Sequence, residues 1–271
     1  MLSVFHDLLY QPALGPLLLM ARATERIRLG PAALNPFTLH PYEIAGQTAM
    51  LDLVSGGRAY LGLVKGAWLD RLGLAEERPL TALREAVEIV QKLIAGDTSG
   101  VQGQRFTLAP GTALAYERVR PSVPLLVGTW GRRTAAWAGT VADELKIGGS
   151  ANPDLVPVVR AWLGVSTARI VVGCVTVVDE DGPWARERAR VAVAPYLDVV
   201  AGLDPTLELR DGQEPPLEKF AIAGTPEEVA ARVLALWEAG ADRVELGTPQ
   251  GRTTPYGVRL ICERVLPLLR R

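Results

Sequence analysis

Short apolar segments alternate with longer segments of helical periodicity along the whole chain. In Pro79–Ala95, apolar residues recur every three or four positions, which predicts a helix with one buried face that ends at Gly96. Arg169–Val178, in contrast, is almost continuously apolar and has the length of a strand covered on both faces. Regular alternation of such segments predicts a parallel sheet covered by helices.

The pattern predicts seven strands, each followed by about one helix. The predicted strands are Leu2–Phe5, Ile27–Leu34, Arg58–Val64, Val123–Val127, 142–147, Arg169–Val178 and Arg243–Leu246. The predicted helices are 16–24, 42–54, 79–95, one opening after 131, 153–163, 183–200, one from 225 to 240, and 256–269. Residues 97–121 are predicted to be an excursion, and 201–219 a polar loop.

Both a doubly wound sheet and a closed barrel have this strand–helix order. The first unit lacks the glycine fingerprint of dinucleotide-binding folds, which favours a TIM-type (β/α)8 barrel. A chain of 271 residues can form one such barrel. We therefore expect a single barrel domain over residues 1–271.

Composition excludes several classes of function. The formal net charge is −1, and no basic run exceeds two residues, which argues against nucleic-acid and membrane partners. The start of the chain has no signal-peptide pattern, and no apolar run reaches the roughly 18 residues of a membrane span. Two cysteines are too few for a disulfide framework or a zinc site. We expect a cytoplasmic protein without metal that acts on a small-molecule substrate.

Ligands of parallel α/β folds bind beyond the carboxyl ends of the strands. The segment Gly128-Thr129-Trp130-Gly131-Arg132-Arg133 takes the chain from a strand through a glycine turn into a helix N-terminus. Free backbone N–H groups at that terminus and the two arginines predict a phosphate site. The alternative is a turn with solvated arginines.

Four further residues at strand ends are candidates for chemistry. Asn35 and His40 follow the second strand, where His40 either contacts a polar ring or satisfies the backbone at a helix entry. His6 and Asp7 end the first strand and are candidates for an acid/base pair, although neighbours on an extended chain point to opposite faces. No nucleophile–base constellation and no P-loop are present.

Only four of the 29 basic residues are lysines, and two of them stand at or in predicted strands. Lys65 ends an apolar strand and Lys146 lies within one. Both are candidates for binding an anionic substrate, and pairing with a neighbouring acid is the alternative. Cys174 and Cys262 are predicted to fill apolar space.

A set of short motifs is spread over nearly the whole chain: Ile27-Arg28-Leu29-Gly30, Asn35–Pro41, Leu51–Arg58, Leu61–Gly66, Arg78-Pro79-Leu80, Val123–Leu125, Gly128–Arg133, Ala142-Asp143, Ala223–Glu228 and Glu238–Gly240. Together they resemble the bacterial luciferase-like superfamily, and most of all its deazaflavin-dependent branch of the methylenetetrahydromethanopterin reductase type. The resemblance implies a (β/α)8 barrel, hydride transfer with coenzyme F420 or a flavin, and a homodimer. It places the coenzyme near Asn35 and His40 and its phosphate near Gly128, Gly131 and Arg132. It also implies a non-prolyl cis peptide bond at Ala32–Ala33.

The chain departs from the family pattern at several positions. Leu39 stands where arginine is usual, His6-Asp7 stands in reversed order, Glu144 replaces glycine, and Lys65 replaces a small residue. The family's first strand and helix, about thirty residues, have no counterpart, which accounts for seven strands instead of eight. Such a gap would leave strand edges unpaired, and we expect the first and last predicted strands to border it.

Three functions are compatible with these observations. The first is an F420-dependent oxidoreductase, and the second is an FMN-dependent monooxygenase of the same superfamily. The third is a barrel without catalysis that serves as a binding or subunit protein. The identity of the bound cofactor separates the first two.

Overall fold

The computed structural model describes residues 1–6, 10–210 and 212–270, with the side chain of Asp198 outside the description. The chain divides into two units. The first comprises Met1–Gly128 and Val141–Asp143, and the second comprises Thr129–Thr140 and Glu144–Arg271. The expectation of one domain over the whole chain stays a prediction.

The first unit alternates strands and helices and contains one antiparallel hairpin. Its elements are β1 (Leu2–Val4), α1 (Leu14–Arg22), β2 (Leu29–Pro31), α2 (Pro41–Ser55), β3 (Leu61–Leu63), α3 (Pro79–Ala95), β4 (Val101–Gln102), β5 (Thr107–Leu108) and β6 (Leu125–Gly128). β1 pairs in parallel with β2, and β3 with β6, while single bridges join Leu29 to Ala59 and Leu34 to Leu63. The hairpin β4–β5 lies in the predicted excursion.

Local sequence explains where the helices of the first unit begin and end. Both α2 and α3 have proline in the first turn, where its missing N–H costs nothing. They end at Gly56 and Gly96, whose φ angles of 65° and 77° are in the left-handed region that favours glycine. The apolar face of α3 is buried, with Leu83 fully inaccessible.

The second unit is built around the long central strand β8. Its elements are α4 (Arg132–Val141), β7 (Glu144–Gly148), α5 (Leu155–Leu163), β8 (Arg169–Val178), α6 (Gly182–Val200), β9 (Ala221–Gly224), α7 (Pro226–Glu238), β10 (Arg243–Gln250), α8 (Thr254–Leu260) and α9 (Leu266–Leu269). β8 pairs in parallel with β7, β9 and β10. α7 begins with the predicted cap, since Thr225 and Glu228 each bond the other's backbone N–H.

All seven predicted strands are present, and the described residues contain three more, which are β9 and the two short strands of the β4–β5 hairpin. β9 pairs with Val175–Val178, and β7 pairs with Arg169–Gly173. β10 pairs with the other edge of β8 and also reaches Val175. β9 therefore pairs with the same edge of β8 as β7 does, beyond the point where the pairing with β7 ends. The strand was missed because Ala221–Gly224 has four small or apolar residues and no strand-forming alternation.

The strands bordering the predicted gap keep one described partner each. β1 pairs with β2 and β10 pairs with β8 among the residues that the structure describes. Whether a gap lies between them stays a prediction. No helix in the described part of the chain is long and apolar enough to cross a membrane.

Candidate active site

A buried asparagine holds the chain where it leaves β2. Asn35 is 4% exposed, and its Oδ1 accepts hydrogen bonds from the N–H of Phe37 at 3.0 Å and from the N–H and hydroxyl of Thr38 at 2.9 and 3.1 Å. Its amide nitrogen has no acceptor among the described residues. Asn35 therefore shapes this turn and keeps a donor for another molecule.

His40 caps α2. Its Nδ1 accepts a hydrogen bond from the N–H of Tyr42 at 3.2 Å, and the ring meets Phe106 edge-on with centroids 5.6 Å apart. Because Nδ1 is the acceptor, the neutral imidazole carries its proton on Nε2. His40 therefore satisfies the backbone at the start of α2, and this exposed residue keeps Nε2–H as a donor. A contact with a coenzyme stays a prediction.

The peptide bond between Ala32 and Ala33 is cis, as predicted. Beside it, Gly62 of β3 makes a close approach possible. A Cβ at Gly62 would lie 2.3 Å from the carbonyl oxygen of Pro31 and 3.3 Å from the Cβ of Ala33. Glycine at this position allows β3 to pack directly against the segment that precedes Asn35.

Lys65 is exposed directly after β3 and forms no ion pair with a described residue. The following Gly66 has a φ of 83°, and a Cβ there would lie 3.2 Å from the Cγ of Asn35. Lys65 is therefore a sequence neighbour of the residue that packs on Asn35. Its predicted substrate role stays a prediction.

The predicted acid/base pair is described only in part. The Nδ1 of His6 accepts a hydrogen bond from the N–H of Ala13 at 3.1 Å, which ties the end of β1 to the start of α1. Asp7 lies outside the described residues. Their catalytic role stays a prediction.

In the second unit, the loop before α4 is fastened to β7. The N–H of Thr129 donates to the carbonyl of Lys146 at 3.0 Å, and the indole Nε1 of Trp130 donates to the carbonyl of Gly148 at 2.9 Å. The hydroxyl of Thr129 accepts from the N–H of Gly131 at 3.0 Å. These bonds give the glycine turn one conformation.

Arg132 and Arg133 open α4 and are exposed, as is Gly131, whereas Gly128 at the end of β6 is buried. Neither arginine forms an ion pair with a described carboxylate. Two unpaired cations and the first-turn N–H groups of a ten-residue helix are a donor set suited to a phosphate. Phosphate binding at this loop stays a prediction.

Lys146 pairs with a neighbouring acid, which was the alternative to its predicted role in substrate binding. Its Nζ lies 2.5 Å from Oε2 of Glu245, and the two side chains are 14% and 15% exposed. Arg243 in turn contacts both Glu245 and Glu144. Burial alone would lower the pKa of Arg243, but hydrogen bonds and charges from the two glutamates outweigh it and raise that pKa.

No functional role was predicted from the sequence for Glu245, Arg243 or Glu144. A usable indication was present, because charged residues occupy alternate positions of two otherwise apolar strands. Alternate residues share one face of a strand, so these charges had to face the same side. No group of three or more potential metal ligands occurs in the described part of the chain.

The chain matches the family described as luciferase-like monooxygenase over residues 12–243 and belongs to it. It is 28% identical over 294 residues to 5,10-methylenetetrahydromethanopterin reductase of Archaeoglobus fulgidus, covering 94% of this chain and 86% of that protein. It is 26% identical over 271 residues to F420-dependent glucose-6-phosphate dehydrogenase of Microbacterium testaceum, covering 92% and 80%.

One solved structure supports the fold assignment directly. The coenzyme F420-dependent tetrahydromethanopterin reductase of Methanopyrus kandleri superposes with a TM-score of 0.82 at 25% identity, covering 99% of this chain and 90% of that one. The predicted fold class and the predicted family are therefore confirmed. The chain is an enzyme of the oxidoreductase type found in this family.

Proposed function

We propose that this protein transfers a hydride between coenzyme F420 and a small organic substrate. Its similarity to two kinds of F420-dependent enzyme supports the choice of coenzyme. F420, when bound, supplies a deazaflavin ring that accepts or donates a hydride. The proposed substrate is a small organic molecule.

The loop before α4 is the observation that carries the proposal. Thr129 and Trp130 hold it in place through their bonds to β7, and Gly131 donates to the hydroxyl of Thr129 within the loop. The exposed Arg132 and Arg133 have no described counter-charge. In the proposal this loop, with Gly128, binds the phosphate of the coenzyme. Charge-assisted bonds from arginine to phosphate are the strongest that such a loop offers.

A second group of residues is proposed to contact the ring of the coenzyme. It consists of Ala32, Ala33, Asn35 and His40. The spare donors are the amide of Asn35 and the Nε2–H of His40, and both suit the carbonyl oxygens of a deazaflavin. His6 and Asp7 are proposed as the acid/base residues, and Lys65 and Lys146 as substrate-binding residues.

Titration of the purified protein with F420 tests the proposal. Arg132→Ala and Arg133→Ala should each weaken binding by about ten- to a hundredfold, since each removes a charge-assisted hydrogen bond. Arg188→Ala is the matched control, because Arg188 is an exposed arginine of α6 without a described ion pair. Equal affinity in all three variants would overturn the phosphate assignment.

The alternative is an FMN-dependent monooxygenase, and the matching family is described as luciferase-like monooxygenase. Titration of the same sample with FMN decides between the two. Saturable binding of FMN at a concentration where F420 does not bind would reverse the choice.

We also propose a homodimer, as the family resemblance implies. Light scattering should give a mass of twice 29.1 kDa. A mass of one chain at micromolar concentration would contradict this.

A further inference from the structure

Five charged side chains occupy one face of three adjacent strands in the second unit. Glu144 and Lys146 are on β7, Arg169 on β8, and Arg243 and Glu245 on β10. They form one chain of ion pairs in which the charges alternate, joining Arg169 to Glu144, Glu144 to Arg243, Arg243 to Glu245 and Glu245 to Lys146. Strands of parallel sheets are usually rich in branched apolar residues, so this composition requires an explanation.

The pair Lys146–Glu245 spans a strand that lies between its members. β7 and β10 pair with opposite edges of β8, which puts them about 9–10 Å apart. The bridge passes over Gly173 of β8, where a Cβ would lie 2.9 Å from Cε of Lys146 and 3.4 Å from Oε2 of Glu245. Glycine inside a strand weakens it, and close approach of another group is a common reason for its presence.

The side chain of Lys146 leans towards the carboxyl ends of the strands. Lys146 is in register with Val171, but its ammonium group lies beside Gly173, which is in register with Gly148 at the end of β7. An ammonium has three N–H donors, and one of them is taken by Glu245. The five side chains together carry three positive and two negative charges, so the series of ion pairs has a net charge of +1 and Lys146 is one of its two cationic ends.

We propose that Glu144, Arg243 and Glu245 are positioning residues that hold the Lys146 ammonium over Gly173, where it binds a negatively charged oxygen of the substrate. This deepens the proposed function and rests on it, because it defines the substrate as an anion such as a carboxylate or a phosphate. An ion-pair chain that served stability alone would not need a lysine with two donors that no described residue accepts, level with the end of β7.

Nuclear magnetic resonance of the lysine ammonium groups tests the proposal in the protein without coenzyme. The chain has four lysines, and the ¹⁵Nζ signals of Lys65, Lys92, Lys146 and Lys219 are assigned by changing each to arginine. Sodium acetate and sodium phosphate are added at constant ionic strength, with acetamide as the neutral probe. We expect a saturable shift of the Lys146 signal with one of the two anions and none with acetamide.

Two glycine variants form a matched pair. Gly173→Ala forces the Lys146 side chain away and should weaken the anion response about tenfold, the loss expected for one charge-assisted hydrogen bond. In Gly148→Ala the new Cβ would lie 4.0 Å from Cε of Lys146, an ordinary contact, so the response should stay within twofold. Equal responses in the two variants would overturn the proposal.

A third variant covers the case in which Gly173→Ala does not fold. Glu245→Gln keeps the size and an acceptor but removes the counter-charge, so the anion should bind Lys146 several times more tightly. Unchanged or weaker binding contradicts the proposal. These anion titrations contain no coenzyme. A negative result would therefore overturn anion binding at Lys146 without bearing on the proposed function, which the F420 titration tests.

Discussion

The guanidinium of Arg252 donates two hydrogen bonds to the buried carboxylate of Asp179, at 2.7 and 3.1 Å. The same guanidinium lies over the ring of Trp184, 4.3 Å from its centroid. Asp179 also accepts a bond from the N–H of Asp181. One carboxylate therefore joins the loop after β10 to the connection between β8 and α6.

This carboxylate predicts a loss of stability in acid. Burial alone would raise the pKa of Asp179, but the bonds from Arg252 and from the N–H of Asp181, with the charge of Arg252, lower it. A pKa below that of the unfolded chain stabilises the fold above about pH 4, and the contribution is lost as the pH falls through the folded-state value. Asp179→Asn should therefore lower the free energy of unfolding more at pH 7 than at pH 3.

Urea denaturation at the two pH values measures this difference. Glu187→Gln is the control, since Glu187 is 68% exposed in a surface pair. Equal losses for Asp179→Asn at both pH values would contradict the assigned charge contribution.

A second prediction concerns the anchor of the β4–β5 hairpin. The carboxylate of Glu85 on α3 accepts backbone N–H bonds from Gln104, Arg105 and Phe106 at 2.7, 2.9 and 2.9 Å. Burial would raise the pKa of Glu85, but these three bonds outweigh it and lower the pKa. Glu85→Gln should cost about 1.5–3 kcal/mol in the free energy of unfolding, because an amide accepts such bonds less strongly.

Glu88→Gln provides the comparison, since Glu88 is an exposed residue on the same helix. A surface change of this kind should stay within about 0.5 kcal/mol. Similar unfolding curves for the two variants would mean that the anchor contributes nothing to stability.

Sequence alone predicted the elements whose ends carry strong local preferences. α3 has the predicted bounds because Pro79 opens it, Gly96 closes it, and the apolar spacing between them fits one face. β8 has the predicted bounds because its apolar run is continuous. β9 was missed since its pairing depends on β8 and little on its own residues.

From the sequence, the candidate site could be predicted only as a set of residues that follow the carboxyl ends of predicted strands. The glycine turn before α4 follows from a motif contiguous in sequence, and the cis bond at Ala32–Ala33 was implied by the family resemblance. The pair Lys146–Glu245 joins residues 99 positions apart, and it requires the register of β7 and β10 on β8. His40 had two open roles, and only the position of the Tyr42 N–H decided for the cap.

The two cysteines should differ sharply in reactivity. Burial raises the pKa of Cys174 to about 12, whereas Cys262 is exposed. The prediction that both cysteines fill apolar space is therefore confirmed for Cys174 and wrong for Cys262. Since the thiolate is the reactive form, iodoacetamide at pH 8 should modify Cys262 alone in the folded protein and both residues in urea. Mass spectrometry of the digested protein counts the modified sites, and labelling of Cys174 in the folded protein would contradict its burial.

The close approach of β3 to the segment after β2 predicts opposite effects for two glycine substitutions. A Cβ at Gly62 would lie 2.3 Å from the carbonyl oxygen of Pro31 and 3.2 Å from Cα of Ala32, both rigid backbone atoms, so Gly62→Ala should destabilise the protein by about 1–3 kcal/mol. Gly15 in α1 has no atom within 4 Å of such a Cβ, and Gly15→Ala should stabilise by up to about 1 kcal/mol. Thermal unfolding ranks the two variants.

Because Ala32 and Ala33 are proposed to contact the coenzyme, Gly62→Ala should also weaken F420 binding, which Gly15→Ala should leave unchanged. A Gly62→Ala protein as stable as its parent would show that β3 does not pack this closely against Pro31.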